Sequence, residues 1–168
     1  MSAAAEPSRA ELRAGLDEAL HEGLLLLDAG RHGAFLETTT AELRYRVVAY
    51  SPDLRREMTW LEHDRAGLAA LIELLPRHHV DGAIWQRHAV LQTAVLEAPG
   101  RARAVSALAL YSTVVDVGDA HVEGGSTHLL AVGRYHDVFR EERGQWRLAE
   151  REVRLDTRQL GVGSHRFP

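Results

Sequence analysis

The 168-residue sequence contains no cysteine, and not one of its 20 basic residues is a lysine. Without a thiol the chain has no cysteine nucleophile, no disulfide, no cysteine-ligated zinc and no cysteine-held iron–sulfur cluster of its own. Without a lysine amine it has no Schiff-base chemistry. No stretch reaches the ~18 consecutive apolar residues that mark a membrane span. The opening MSAAAEPSRAE lacks the charged-then-apolar order of a signal peptide, so a soluble cytoplasmic protein is expected. The glycine motifs G-x-x-x-x-G-K, G-x-G-x-x-G and G-x-S-x-G are absent too, which removes the usual nucleotide and hydrolase chemistries.

What is present is a balanced charge pattern on an adequate core. Twenty arginines stand against 24 acids for a net charge of −4, interleaved as in LRREMTWLEHDR. Nucleic acid attracts clustered positive charge, so it is not an expected partner. A hydrophobic content of 45 % over this length suits one domain. Residues 1–8 read as a mobile lead and 9–168 as the domain.

Ser8 and Glu11 form a capping box, in which each side chain satisfies a free amide of the other's turn. Leu12, Leu16, Ala19, Leu20, Leu24 and Leu27 then recur at helical spacing, and Gly30 stops the helix. RHGAFLETT predicts a short second helix, and AELRYRVVAY a strand. Ser51-Pro52 reads as a helix start. From it a broken helix is expected to run to Leu75, where Pro76 ends it. Strands follow near 79–97, 102–117, 126–141 and 145–157, with turns at Ala-Pro-Gly-Arg, Val-Gly-Asp and Glu-Arg-Gly-Gln. Helices first and hairpin-linked strands after them predict an α+β fold.

Two strand details go further. Along 102–117, Val105, Ala107, Ala109, Tyr111 and Val115 alternate with Ala104, Leu108, Leu110 and Val114, so both faces are apolar. A sheet with one wet face would alternate with polar residues. Another subunit is the simplest cover for the second face. In the last strand Trp146 and Leu148 are even but Val153 and Leu155 are odd, which predicts a bulge or bend near Glu150–Glu152.

Ten histidines raise the question of metal, yet His63, His78-His79, His88, His121 and His128 lack the spacing that aims two imidazoles at one ion. No metal or cofactor site is expected on this chain. For acid–base chemistry His88 is the best placed, with Asp64, His63 and Tyr45 as companions in one cavity. The competing reading has Arg87 and His88 bonding to neighbouring strands or to a partner. His136 and Asp137 alternate across a strand and cannot act together on one face. Arg151, Arg154, Asp156 and Arg158 in the last strand form a candidate interface, because arginine forks pair bidentately with carboxylates.

The order of elements resembles the NTF2-like (SnoaL-like) cone fold, with N-terminal helices on a strongly curved mixed or antiparallel sheet. Within it, LLLDAGRHGAFLE, RYRVVAYSPDLRREMTWLEHDRAGL, Arg87-His88, AVGRYHDVFR with GQWRLAEREVRLDTR, and LGVGSH resemble the small (beta) subunits of Rieske-type ring-hydroxylating oxygenases. YSPDLRREMTWLEHDR and VRLDTRQLGVGSH are especially similar to the sulfonate monooxygenase members. The resemblance covers about residues 20–168. It implies a non-catalytic small subunit, with the Rieske cluster and a mononuclear iron on a large alpha subunit. It also implies contacts between copies through the outer sheet face, in an assembly of three large and three small chains. Other cone-fold proteins act alone as isomerases, cyclases or dehydratases, and that alternative would use the His88, Asp64, His63 and Tyr45 set.

Overall fold

A computed structural model describes residues 6–78, 83–115, 125–157 and 168. Helix α1 (Arg9–Asp28) begins at the capping box: the Glu11 carboxylate accepts from the Ser8 amide at 2.8 Å, and the Ser8 hydroxyl accepts from the Glu11 amide at 3.3 Å. Its buried stripe is Leu12, Leu16, Leu20, Gly23, Leu24 and Leu27. Each leucine contributes roughly 1.5–3 kcal/mol by leaving water. Gly30 takes φ +68, a left-handed turn that leads into α2 (His32–Glu37).

Six strands follow, interrupted by α3: β1 (Thr39–Ser51), β2 (Arg56–Asp64), α3 (Arg65–His78), β3 (Ala83–Ala98), β4 (Arg101–Val114), β5 (Thr127–Glu142) and β6 (Gln145–Leu155). They form one mixed, open sheet in the order β2-β1-β6-β5-β4-β3. Every pairing is antiparallel except β1 with β6, which is parallel. The core lies between the inner face of this curved sheet and the helices. The expected α+β cone is thus what the chain forms.

Arg56–Asp64 corrects the expected broken helix. Ser51 caps a turn by accepting from the Leu54 amide at 3.3 Å, Arg55 takes φ +49, and the chain returns along β1 as β2. Almost every residue of β2 is exposed. It is held by backbone pairing rather than by an apolar face, so it carries no strand periodicity to read. Only at Arg65 does a helix start, capped by Asp64, whose carboxylate accepts from the Gly67 amide at 2.7 Å. That helix runs two residues past Pro76, to His78.

The bulge foreseen in the last strand is present one residue early. Val138 pairs with Glu150 and Phe139 with Leu148, which leaves Ala149 as the extra residue. Leu148 and Ala149 are both buried, so the strand changes parity there. Strands β5 and β6 also approach closely at Gly133, where an added Cβ would stand 2.2 Å from the Arg154 carbonyl. The hairpin joining them turns at Arg143 and Gly144, both with positive φ.

The two edges of the sheet differ. Helix α1 covers the β3 edge, where Arg13 donates to the Leu91 carbonyl and, at 3.3 Å, to that of Gln92, and His21 lies 3.3 Å from the Ala89 carbonyl. The β1–β2 hairpin at the other edge leaves Tyr50, Leu54, Met58 and Trp60 exposed.

Candidate functional site

The parity change at Ala149 turns Arg151 inward. Register places it between Tyr45 on β1 and Asp137 on β5. Its Nε and Nη2 donate to the two Asp137 carboxylate oxygens at 2.9 and 2.7 Å, a bidentate pair with side chains only 2 % and 1 % exposed. The guanidinium lies 4.1 Å over the Tyr135 ring. Burial works against the Arg151 charge, but the Asp137 carboxylate outweighs it and holds the pKa above the ordinary guanidinium value. Burial likewise raises the phenols of Tyr45 and Tyr135, so both stay protonated and can donate. Tyr45 donates to the main-chain oxygen of Pro168, which is itself buried. Nearby, Arg87 donates from its amide and from Nη1, at 2.7 Å, to Asp28 and so ties the end of α1 to β3.

Arg151 therefore differs from its expected place among the interface residues: it is an interior group, paired within its own chain. Arg154 and Asp156 face outward, with side chains 51 % and 66 % exposed. Arg154 bonds Glu152 at 2.5 Å and Glu57 at 3.2 Å, while Arg134 approaches Asp156 at 4.0 Å. Arg158 lies outside the described residues.

Three of the four candidate catalytic residues, Tyr45, His63 and Asp64, border one open cleft, and His88 lies away from it. Tyr45 and His63 are register partners on the inner side, where the His63 ring packs against Gly67 of α3. Asp64 pairs in register with Arg44 on the opposite face and caps α3. His88 is exposed on the outer face, edge-on to Tyr111 with ring centroids 5.0 Å apart. A strand's alternation separates it from its neighbour Arg87, which points inward. Among the described residues no group of three or more His, Asp or Glu is placed to hold a metal ion. The pairs His78-His79 and the residue His121 fall outside the described side chains.

Sequence reasoning missed the Arg151–Asp137 pair. A signal was available: Arg151 shares the odd parity of Val153 and Leu155, the inward-facing residues of the same strand.

The outer face is charged on one half and apolar on the other. Across β1, β6 and β5 lies an open cleft of about 860 Å³ lined by Arg44, Arg46, Glu62, Arg103, Arg134, His136, Glu152 and Arg154, among others. Partial burial, with Arg154 close by, lowers the His136 pKa below its ordinary value of 6.5. Across β4 and β3, Val105, Ala107, Ala109 and Tyr111 are half-buried, and Ile84, Val90 and Val95 stand exposed. No helix among the described residues is long and apolar enough to cross a membrane.

A curved open sheet closed by N-terminal helices over a polar interior is a cone of the SnoaL-like class. The sequence pattern of the SnoaL-like domain matches residues 8–152, and the chain belongs to that family. Within the family it falls with the beta subunits of hydroxylating oxygenases. It is 34 % identical, over 98 % of its length and 92 % of the relative's, to the methanesulfonate monooxygenase hydroxylase subunit beta of Methylosulfonomonas methylovora. It is 29 % identical, over 88 % of its length and 93 % of the relative's, to the 2-aminobenzenesulfonate 2,3-dioxygenase subunit beta of an Alcaligenes species. Among solved structures, a chain of naphthalene 1,2-dioxygenase with indole in its active site superposes with a TM-score of 0.72 at 16 % identity, covering 92 % of this chain and 84 % of that one. That likeness is one of fold.

Proposed function

We propose that the chain is a non-catalytic small (beta) subunit of an oxygenase whose Rieske cluster and mononuclear iron sit on a large alpha subunit. The observation that carries this reading is the 34 % identity to a hydroxylase beta subunit over 98 % of the chain. Both curated relatives are named for sulfonate substrates. A small organic sulfonate or aromatic compound is therefore the substrate class of the whole assembly.

Two features of this chain support a scaffold role. His88 packs on Tyr111, away from the cleft that Tyr45, His63 and Asp64 border, which speaks against the alternative of a stand-alone isomerase, cyclase or dehydratase that uses all four. The outer face also leaves Ile84, Val90, Val95, Leu129 and Val132 exposed. Apolar surface of that kind marks a protein contact. The partners are the large subunit and further copies of this chain, met through the outer sheet face, with Arg154, Asp156 and Arg158 at the rim.

Co-expression with the candidate large subunit, followed by native mass measurement and iron analysis, tests the proposal. The expected result is a stable mixed oligomer whose iron travels with the large chain. Turnover of a small apolar substrate by this chain alone, or a large subunit that assembles fully without it, overturns the reading. His88→Ala is expected to change assembly or stability without specifically abolishing turnover in the reconstituted complex. A fully assembled but inactive His88→Ala complex would contradict the scaffold role of that residue.

A further inference from the structure

The β1–β2 hairpin is built unlike the rest of the sheet. Strand β2 pairs with β1 on one side only and ends the sheet order. Residues 52–60 are all exposed, so neither face of the strand packs on the core there. The hairpin nevertheless carries large apolar side chains: Tyr50, Leu54, Met58 and Trp60 are 59, 53, 40 and 50 % exposed. Trp60 is the extra residue of a bulge, since Val48 pairs with Thr59 and Val47 with Leu61. Beside them stand Arg55, at φ +49 in the turn, and Arg56, neither with an acid paired to it among the described residues. The adjacent Glu57 is taken by Arg46 and Arg154. Asp53 can offset one of the two charges at most.

We propose that this hairpin docks the large subunit, entering an apolar pocket rimmed by carboxylates on that chain. The inference rests on the subunit reading above and adds a contact separate from the outer sheet face. An edge strand that bares both faces and a row of unpaired backbone groups is a liability unless something covers it. Trp, Tyr, Met and Arg are also the side chains that anchor protein contacts. Charge decides which neighbour fits. A two-fold contact of hairpin with hairpin would set Arg55 and Arg56 against their own copies, and like charges facing each other disfavour a contact. The apolar half of the outer face on a second copy fits no better. Arg103 borders it beside Val95, and Arg134 borders it beside Ala107 and Val90. The acids nearby, Glu97 and Asp156, already face those two arginines. That surface therefore leaves the hairpin's arginines without carboxylates, and a chain of different sequence has to supply them.

The test measures binding of the full chain to the purified large oxygenase subunit, and self-association of the chain by size exclusion with light scattering. Two double variants are compared with the wild type: Leu54→Ala with Trp60→Ala, and Arg55→Glu with Arg56→Glu. Removing the two apolar anchors should weaken large-subunit binding at least about tenfold and leave self-association unchanged. Reversing the two charges should weaken it too, and should flatten the loss of affinity that added salt causes in the wild type. If circular dichroism shows the alanine variant unfolded, the charge variant and its salt dependence decide alone. Wild-type binding that both folded variants match within about twofold overturns the hairpin proposal and leaves the subunit reading standing. Loss of self-association in the variants, with large-subunit binding kept, makes a second copy the occupant and overturns the proposal as well. A wild-type chain that does not bind the large subunit at all overturns the subunit reading itself, and the hairpin proposal with it.

Discussion

At the scale of single residues, the interior charge pair dominates. Arg151 and Asp137 satisfy each other at 2.7–2.9 Å with almost no access to water. Removing one partner leaves an uncompensated buried charge, which costs about 3–5 kcal/mol. Asp137→Ala and Arg151→Met should each lower the urea unfolding free energy by that order. Arg151→Lys should recover only part, because an ammonium lacks the planar fork. A loss below ~1 kcal/mol for either truncation would mean that the pair does not hold the interior together. His136 offers a gentler prediction. Burial and Arg154 depress its folded pKa below 6.5, so the unfolded chain binds the proton more readily. Its contribution to stability is therefore present above pH 6.5 and is lost as pH falls through the lower folded value. Stability measured against pH should flatten in that window for His136→Gln. An NMR titration of His136 with its midpoint at or above 6.5 contradicts the argument.

At the scale of elements, backbone approach decides more than side-chain character does. A methyl group at Gly133 would meet the Arg154 carbonyl at 2.2 Å, so β5 and β6 would have to part in the middle of the sheet. Gly133→Ala should cost at least about 1–3 kcal/mol, as overpacking does. Gly33 in α2 has open space around its Cβ position, and Gly33→Ala should be neutral or stabilising by up to ~1 kcal/mol. Thermal unfolding of the two variants side by side separates a close-approach glycine from a replaceable one. Ser8→Ala removes one half of the capping box and should cost about 1 kcal/mol by loosening the start of α1.

At the scale of the whole molecule, the asymmetry of the outer face matters most. Its charged half is largely paired within the chain, through Arg46, Glu57, Glu152 and Arg154. Its apolar half has no cover among the described residues, and desolvating it against a neighbour is favourable. Val90→Arg and Val132→Arg should leave circular dichroism unchanged but weaken oligomer formation, as read by size exclusion with light scattering. Unchanged assembly in both variants would place the subunit contacts elsewhere, with the exposed β1–β2 hairpin as the next surface to examine.

The sequence by itself determined the elements whose cause is local or periodic. The capping box and leucine stripe defined α1, the Arg-Gly turn defined the last hairpin, and the change of parity between Leu148 and Val153 announced the bulge. The absence of cysteine and lysine bounded the chemistry before any fold was known. Only the tertiary structure decided what depends on pairing between distant segments. β2 became a strand because β1 offers it a hydrogen-bonding edge, although its exposed sequence has no strand pattern. Whether Arg151 faced water or the interior turned on a single extra residue, Ala149, and a one-residue shift carries every later side chain of a strand to the other face. His88 and Tyr45 stand apart because their strands lie far apart in the sheet order and only the pairing of distant segments sets that separation.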